Sequence, residues 1–87
     1  MKTLAEVGEA VAKLRREAGI TQEALAEASG TRQSYWSLFE RGHIAEFGLR
    51  KLLSGLDLLG YEIILRPIAA APTLEDLLAE RRGGGSS

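Results

Sequence analysis

The sequence predicts an all-α core of five helices followed by one β-strand, and three observations carry that prediction. Apolar residues recur every three or four positions in several separate stretches, the period of a helix with one buried face. Gly19, Gly30, Gly42 and Gly60 stand where those stretches stop, as helix-ending glycines do. After Gly60 the character changes to aromatic and β-branched residues, Tyr61 to Arg66, closed by Pro67.

The first helix runs from Leu4 to Ala18, where Leu4, Val7, Val11, Leu14 and Ala18 share one stripe. Lys13, Arg15 and Arg16 lie near its end, where cations suit the helix dipole. Thr21 is a good N-cap for a short second helix with Leu25 and Ala26 inward, ended by Ser29-Gly30. A turn of a few residues leads to a third helix, Arg32 to Glu40, with Trp36 and Phe39 three apart. Two short helices about a glycine turn make a helix-turn-helix candidate. A short helical turn around Ile44 to Phe47 then precedes a core helix carrying Leu49, Leu52, Leu53, Leu56 and Leu59.

A lone strand at 61–66 has backbone groups that need a partner, and the chain offers no second strand of comparable quality. Its simplest partner is the same strand of a second copy, paired antiparallel across a twofold axis by Tyr61, Ile63, Ile64 and Leu65. The alternative is that 61–66 prolongs the helix or packs as coil. Ala69 to Pro72 reads as a small-residue linker, Thr73 to Arg82 as a short amphipathic helix, and Gly83 to Ser87 as a low-complexity end. The expected divisions are thus a domain at 1–60, a dimerisation strand at 61–67 and a tail at 68–87.

Composition narrows the function. With 45% hydrophobic and 26% charged residues the 87-residue chain has the profile of one small folded domain. Without cysteine there is no disulfide, thiolate metal site or cysteine nucleophile, so zinc fingers are excluded and a reducing compartment suits the chain. The start, Met1-Lys2-Thr3-Leu4, has no apolar signal region and no stretch approaches the length of a membrane span, so a cytoplasmic protein is expected. No nucleophile–base set, phosphate-cradling glycine loop or metal-ligand spacing is present. Neither an enzyme nor a cofactor is expected. His43, the only histidine, reads as loop surface. The net charge of −1 is unusual for a nucleic-acid binder, but it is unevenly spread. Residues 1–51 hold eight Lys/Arg against seven Asp/Glu, and 52–87 hold three against five.

Residues 19–42 read Gly-Ile-Thr-Gln-Glu-Ala-Leu-Ala-Glu-Ala-Ser-Gly-Thr-Arg-Gln-Ser-Tyr-Trp-Ser-Leu-Phe-Glu-Arg-Gly. This resembles the Xre/phage-repressor pattern, G-[LI]-T-Q-x-x-L-A-x-x-x-G, a recognition helix and E-x-G, in register throughout and extending over about residues 7 to 60. The resemblance implies a five-helix, lambda-repressor-like helix-turn-helix domain that binds double-stranded DNA. It places the third helix in the major groove, with Arg32, Gln33, Ser34 and Ser37 as candidates for base contact. Thr21, Gln22, Thr31, Tyr35 and Arg41 become candidates for phosphate contact. Leu38 is placed to touch a thymine methyl or to pack at a dimer edge. Arg15 and Glu40 match positions that form an internal salt bridge in the family. Two exposed charges of little energetic weight are the other reading.

The run from Leu49 to Arg66, a leucine-rich helix ending in Leu-Gly-Tyr and then a strand ending in Arg-Pro, looks like the HipB-like antitoxins. That resemblance implies a homodimer on a palindromic operator, repression of its own operon, and a kinase-like toxin of the HipA type as partner. Thr73 to Arg82 either contacts such a toxin or packs back on its own dimer. A free-standing Xre-family regulator and a protein-interaction helix-turn-helix module are the alternatives.

Overall fold

A computed structural model describes residues 1–68, and among them it forms α1 (Leu4–Glu17), α2 (Gln22–Ser29), α3 (Gln33–Glu40) and α4 (Leu49–Leu59). The amphipathic segment expected at 73–82 lies outside the described residues.

α1 starts in a capping box. The Thr3 hydroxyl accepts the Glu6 amide at 3.1 Å, and the Glu6 carboxylate accepts the Thr3 amide at 3.2 Å and that of Lys2. These backbone donors, Lys2 first, hold the Glu6 carboxyl below the ordinary glutamate range. α2 is capped by Thr21, whose hydroxyl accepts the Ala24 amide at 3.0 Å. It ends at Gly30, whose φ of +69° lets the Thr31 amide turn back to the Ala26 carbonyl at 2.9 Å. That reversal sets the angle at which α3 leaves.

Trp36, Phe39 and Leu25 are fully buried, and Val11, Ala26, Leu52 and Leu56 complete the core. α1 packs on α3, and α2 packs on both α3 and α4. Two glycines make the close approaches possible. A Cβ on Gly8 would fall onto the Phe39 carbonyl, and one on Gly55 would strike the Trp36 indole, 2.7 Å from Cζ2. The buried indole is satisfied: its Nε1 donates to the Ser29 hydroxyl at 2.8 Å, which donates to the Leu25 carbonyl at 2.7 Å.

Four helices, rather than the expected five, occupy the described residues. The stretch 43–48 is not helical because its apolar side chains and its backbone are used otherwise. The Phe47 ring lies between two others, stacked on Tyr35 at 4.5 Å and on Phe39 at 4.0 Å, and meets Trp36 edge-on at 4.8 Å. The Gly48 amide, with extended backbone around it, donates to the Tyr35 hydroxyl at 3.1 Å. Nor is there a strand among the described residues. Residues 61–68 leave α4 as an exposed irregular segment, and among the described residues nothing pairs with it. With α1 and α4 it flanks an open groove of about 890 Å³, lined by Val11, Leu14, Leu52 and Leu56 among others.

Candidate nucleic-acid interface

The inner face of α3 is core, which leaves its outer face and N-terminal end as the surface that the rest of the fold holds out. Arg32 occupies the N-cap in extended conformation and makes no side-chain cap bond, so the first amides of α3 are left to other acceptors. Arg32, Gln33 and Ser34 are exposed, and Ser37 is half-buried with its carbonyl accepting Arg41 Nε at 3.3 Å. Between residues 28 and 45 the only carboxylate is Glu40.

That carboxylate is paired. Arg15 Nε donates to Glu40 Oε2 at 2.7 Å and Nη2 donates to Oε1 at 3.0 Å, with the Glu40 side chain only 4% exposed. Arg15 Nη1 also reaches the Ile20 carbonyl at 3.0 Å, tying the end of α1 to the start of the helix-turn-helix. The geometry is a two-pronged guanidinium–carboxylate contact, the strongest kind of ion pair a side chain makes. Arg32 and Arg41 therefore face outward with no free carboxylate nearby in sequence.

The pair extends to the surface. Gln22 Nε2 donates to Glu40 Oε1 at 2.8 Å, and Gln33 Nε2 donates to Gln22 Oε1 at 3.1 Å. Gln22, a phosphate candidate, and Gln33, a base candidate, are thus joined side by side across the turn. The Thr21 oxygen caps α2, its hydroxyl proton finding no acceptor among the described residues, and Thr31 lies half-buried in the turn. Tyr35 is committed inward more than expected. Its ring stacks on Phe47 and its oxygen accepts the Gly48 amide, which orients the remaining hydroxyl proton. Arg41 is exposed at the far end of α3.

The dimerisation candidates lie apart from this surface. Tyr61, Ile63, Ile64 and Leu65 are all exposed, Leu65 at 92%. His43 is exposed too, its backbone amide closing the end of α3 on the Leu38 carbonyl at 2.9 Å. Among the described residues no three potential ligands cluster as a metal site, and no helix is long and apolar enough to cross a membrane.

Several contributors escape a reading of the sequence. Ser29 and Gly55, which seat the indole, and Phe47, which seats Tyr35, have no periodic signature. Arg50 and Lys51 do leave a signal. They sit in the first turn of α4, a turn without acid or side-chain cap, where cations oppose the helix dipole. The Gly48–Tyr35 bond sets this positive helix start beside the first turn of α3.

No curated protein sequence and no solved structure matches the chain. A family model described as a helix-turn-helix domain matches residues 1–66, the span that holds the capped α2, the glycine turn, α3 and the core that seats them. By that match, over three quarters of its length, the chain belongs to this helix-turn-helix domain family.

Proposed function

We propose that the protein is a sequence-specific DNA-binding transcriptional repressor that lays α3 in the major groove. One observation carries the reading. The exposed start of α3 presents Arg32, Gln33 and Ser34 with no free carboxylate nearby in sequence, on a helix whose other face is locked into the core. Arg32 and Gln33 suit the edges of guanine and adenine, and Ser34 and Ser37 suit several edges. Thr21, Gln22, Thr31, Tyr35 and Arg41 supply phosphate contacts around them, joined by Arg50 and Lys51 at the start of α4.

The protein acts as a homodimer on a palindromic operator, joined through residues 61–67 paired as antiparallel strands. The exposure of Ile64 (75%) and Leu65 (92%) supports this, because apolar side chains bared in a row on a small domain call for a cover. The likeness of residues 49–66 to HipB-like antitoxins supports a finer role in the cytoplasm. In that role the dimer represses its own operon and binds a kinase-like toxin encoded beside it.

The test is a fluorescence-anisotropy titration of the full chain with DNA from upstream of its own gene and with scrambled duplex, at two salt concentrations. Preferential binding that weakens steeply with salt is expected. Equal affinity for both duplexes would refute sequence-specific repression at that site. Replacing Ile64 by Pro is expected to give a monomer in sedimentation, and a surviving dimer would refute strand pairing.

A further inference from the structure

We propose that Glu40, held by Arg15, is a positioning residue that fixes which way the Gln33 amide points and so makes Gln33 discriminate adenine from guanine. The inference rests on the reading of α3 as the base-contacting helix and adds a residue that touches no base.

A glutamine amide has a donor end and an acceptor end of nearly the same shape, so by itself it presents either. Here the choice is made at Glu40, two hydrogen bonds away from Gln33. An ionised carboxylate can only accept, and both Glu40 oxygens are engaged by Arg15, at 2.7 Å and 3.0 Å. The acceptor capacity left on Oε1 is filled by Gln22 Nε2 at 2.8 Å. Turning the Gln22 amide over would set its oxygen against the carboxylate oxygen, acceptor on acceptor, in a site where Glu40 is 4% exposed and water gives little relief.

Gln22 Oε1 must therefore face away from Glu40, toward Gln33, and it accepts Gln33 Nε2 at 3.1 Å. The same exclusion acts again, since Gln33 cannot offer an oxygen to an oxygen. One of its two N–H groups is now occupied, which leaves a single N–H and the carbonyl oxygen exposed. Adenine presents one acceptor, N7, and one donor, N6–H, in the major groove, and these complement that pair. Guanine presents two acceptors, N7 and O6, and the Gln33 oxygen opposes one of them. Were the polarity reversed, both Gln33 N–H groups would be free and guanine would be accepted as well.

Glu40→Gln releases the polarity with almost no change in shape, because an amide can accept or donate where the carboxylate only accepts. Arg15 donates to both carboxylate oxygens, so the introduced amide can set its nitrogen at either position, and Gln22 is no longer confined to donating toward residue 40. Arg15→Met combined with Glu40→Leu removes the anchor altogether while keeping the site filled, a replacement that cores tolerate. The experiment selects bound sites from a randomised duplex library with the full wild-type chain. It then compares adenine with guanine at the position whose preference Gln33→Ala abolishes. Far-UV circular dichroism verifies that each variant is folded.

The wild type is expected to favour adenine there by about tenfold to a hundredfold, and both Glu40 variants to lower that ratio to about threefold or less. A ratio that stays unchanged while affinity falls equally for both bases would make the ion pair merely structural and overturn the proposal. If Gln33→Ala alters no preference at any position, α3 does not read bases through Gln33. In that case the inference falls together with that part of the functional reading, whereas intact Glu40-variant ratios beside a Gln33-dependent preference sink the inference alone.

Discussion

Replacing Gly8 by Ala pits two effects of opposite sign against each other. In the interior of α1, alanine is the better helix former by about 1 kcal/mol, so an isolated helix would gain. In the folded domain the new Cβ would fall onto the Phe39 carbonyl oxygen, 2.9 Å from its carbon and 3.4 Å from Glu40 Cα. Comfortable carbon–carbon separations are about 3.5–4.0 Å, and every atom met is backbone, so no side chain can rotate away. α1 and α3 must part, disturbing the Arg15–Glu40 pair that spans the same two helices. Overpacking costs about 1–3 kcal/mol and occasionally more, and a backbone-on-backbone contact belongs at the upper end. After the propensity gain, a net loss of about 2 kcal/mol is expected, a fall of roughly 10 °C in Tm for a domain of this size. Urea unfolding followed by fluorescence of the single tryptophan measures it directly. A variant more stable than wild type by about 1 kcal/mol would mean that the helix preference acts unopposed, and the close approach of α1 and α3 would be refuted.

Ser29→Ala leaves the buried Trp36 Nε1 without its acceptor and is expected to cost about 1–3 kcal/mol, whereas Ser34→Ala on the exposed face stays within about 0.5 kcal/mol; equal losses would refute the seating of the indole. Because the Glu6 carboxyl is lowered in the folded state, its contribution is present above the ordinary glutamate range and is lost as the pH falls through that range to below it. Glu6→Gln should therefore flatten the acid side of the stability profile, and an unchanged profile in thermal melts across acidic pH counts against the capping box. Lys51→Ala is expected to weaken binding to all duplexes alike and to reduce the salt slope by about 1, while Arg32→Ala relaxes base preference at one position; quantitative gel shifts at several salt concentrations distinguish the two.

What could be read from the sequence was what acts locally. The stripe through Val7 and Val11, the Thr21 cap and the glycines that end each helix are all set within a turn or two of chain, and they locate α1 to α4 to within a residue or so. The segment at 44–47 went astray because its fate depends on a distant surface. Phe47 is drawn out of any helix by rings on α3 that no local pattern reveals. Gly8 and Gly55 look like poor helix residues by themselves and make sense only against Phe39 and Trp36. In the candidate interface the residue types at 32, 33, 34 and 37 were legible. The bond between Gln22 and Gln33 was not, because an eleven-residue spacing across a turn has no signature until the angle between α2 and α3 is known. The segment 61–66 is a different matter, for nothing among the described residues covers its apolar run, and local pattern does not say what does.

The two faces of α3 set unequal terms for change. Trp36 and Phe39 hold the helix by its back, and no exposed residue at its front contributes to that grip. Arg32 and Ser34, whose side chains make no hydrogen bond among the described residues, are therefore open to exchange at little cost to folding, and under the major-groove role proposed for α3 a lineage of such proteins would acquire new target sequences by single steps there. Gln33 is not so free. It shares a hydrogen-bonded chain with Gln22, Glu40 and Arg15, so a productive change at 33 needs an accommodating change at 22. On that proposed role, retargeting the domain would be a matter of independent letters at two positions and of a coupled pair at the third, and pairwise libraries at 22 and 33 are the place where new specificities would be found.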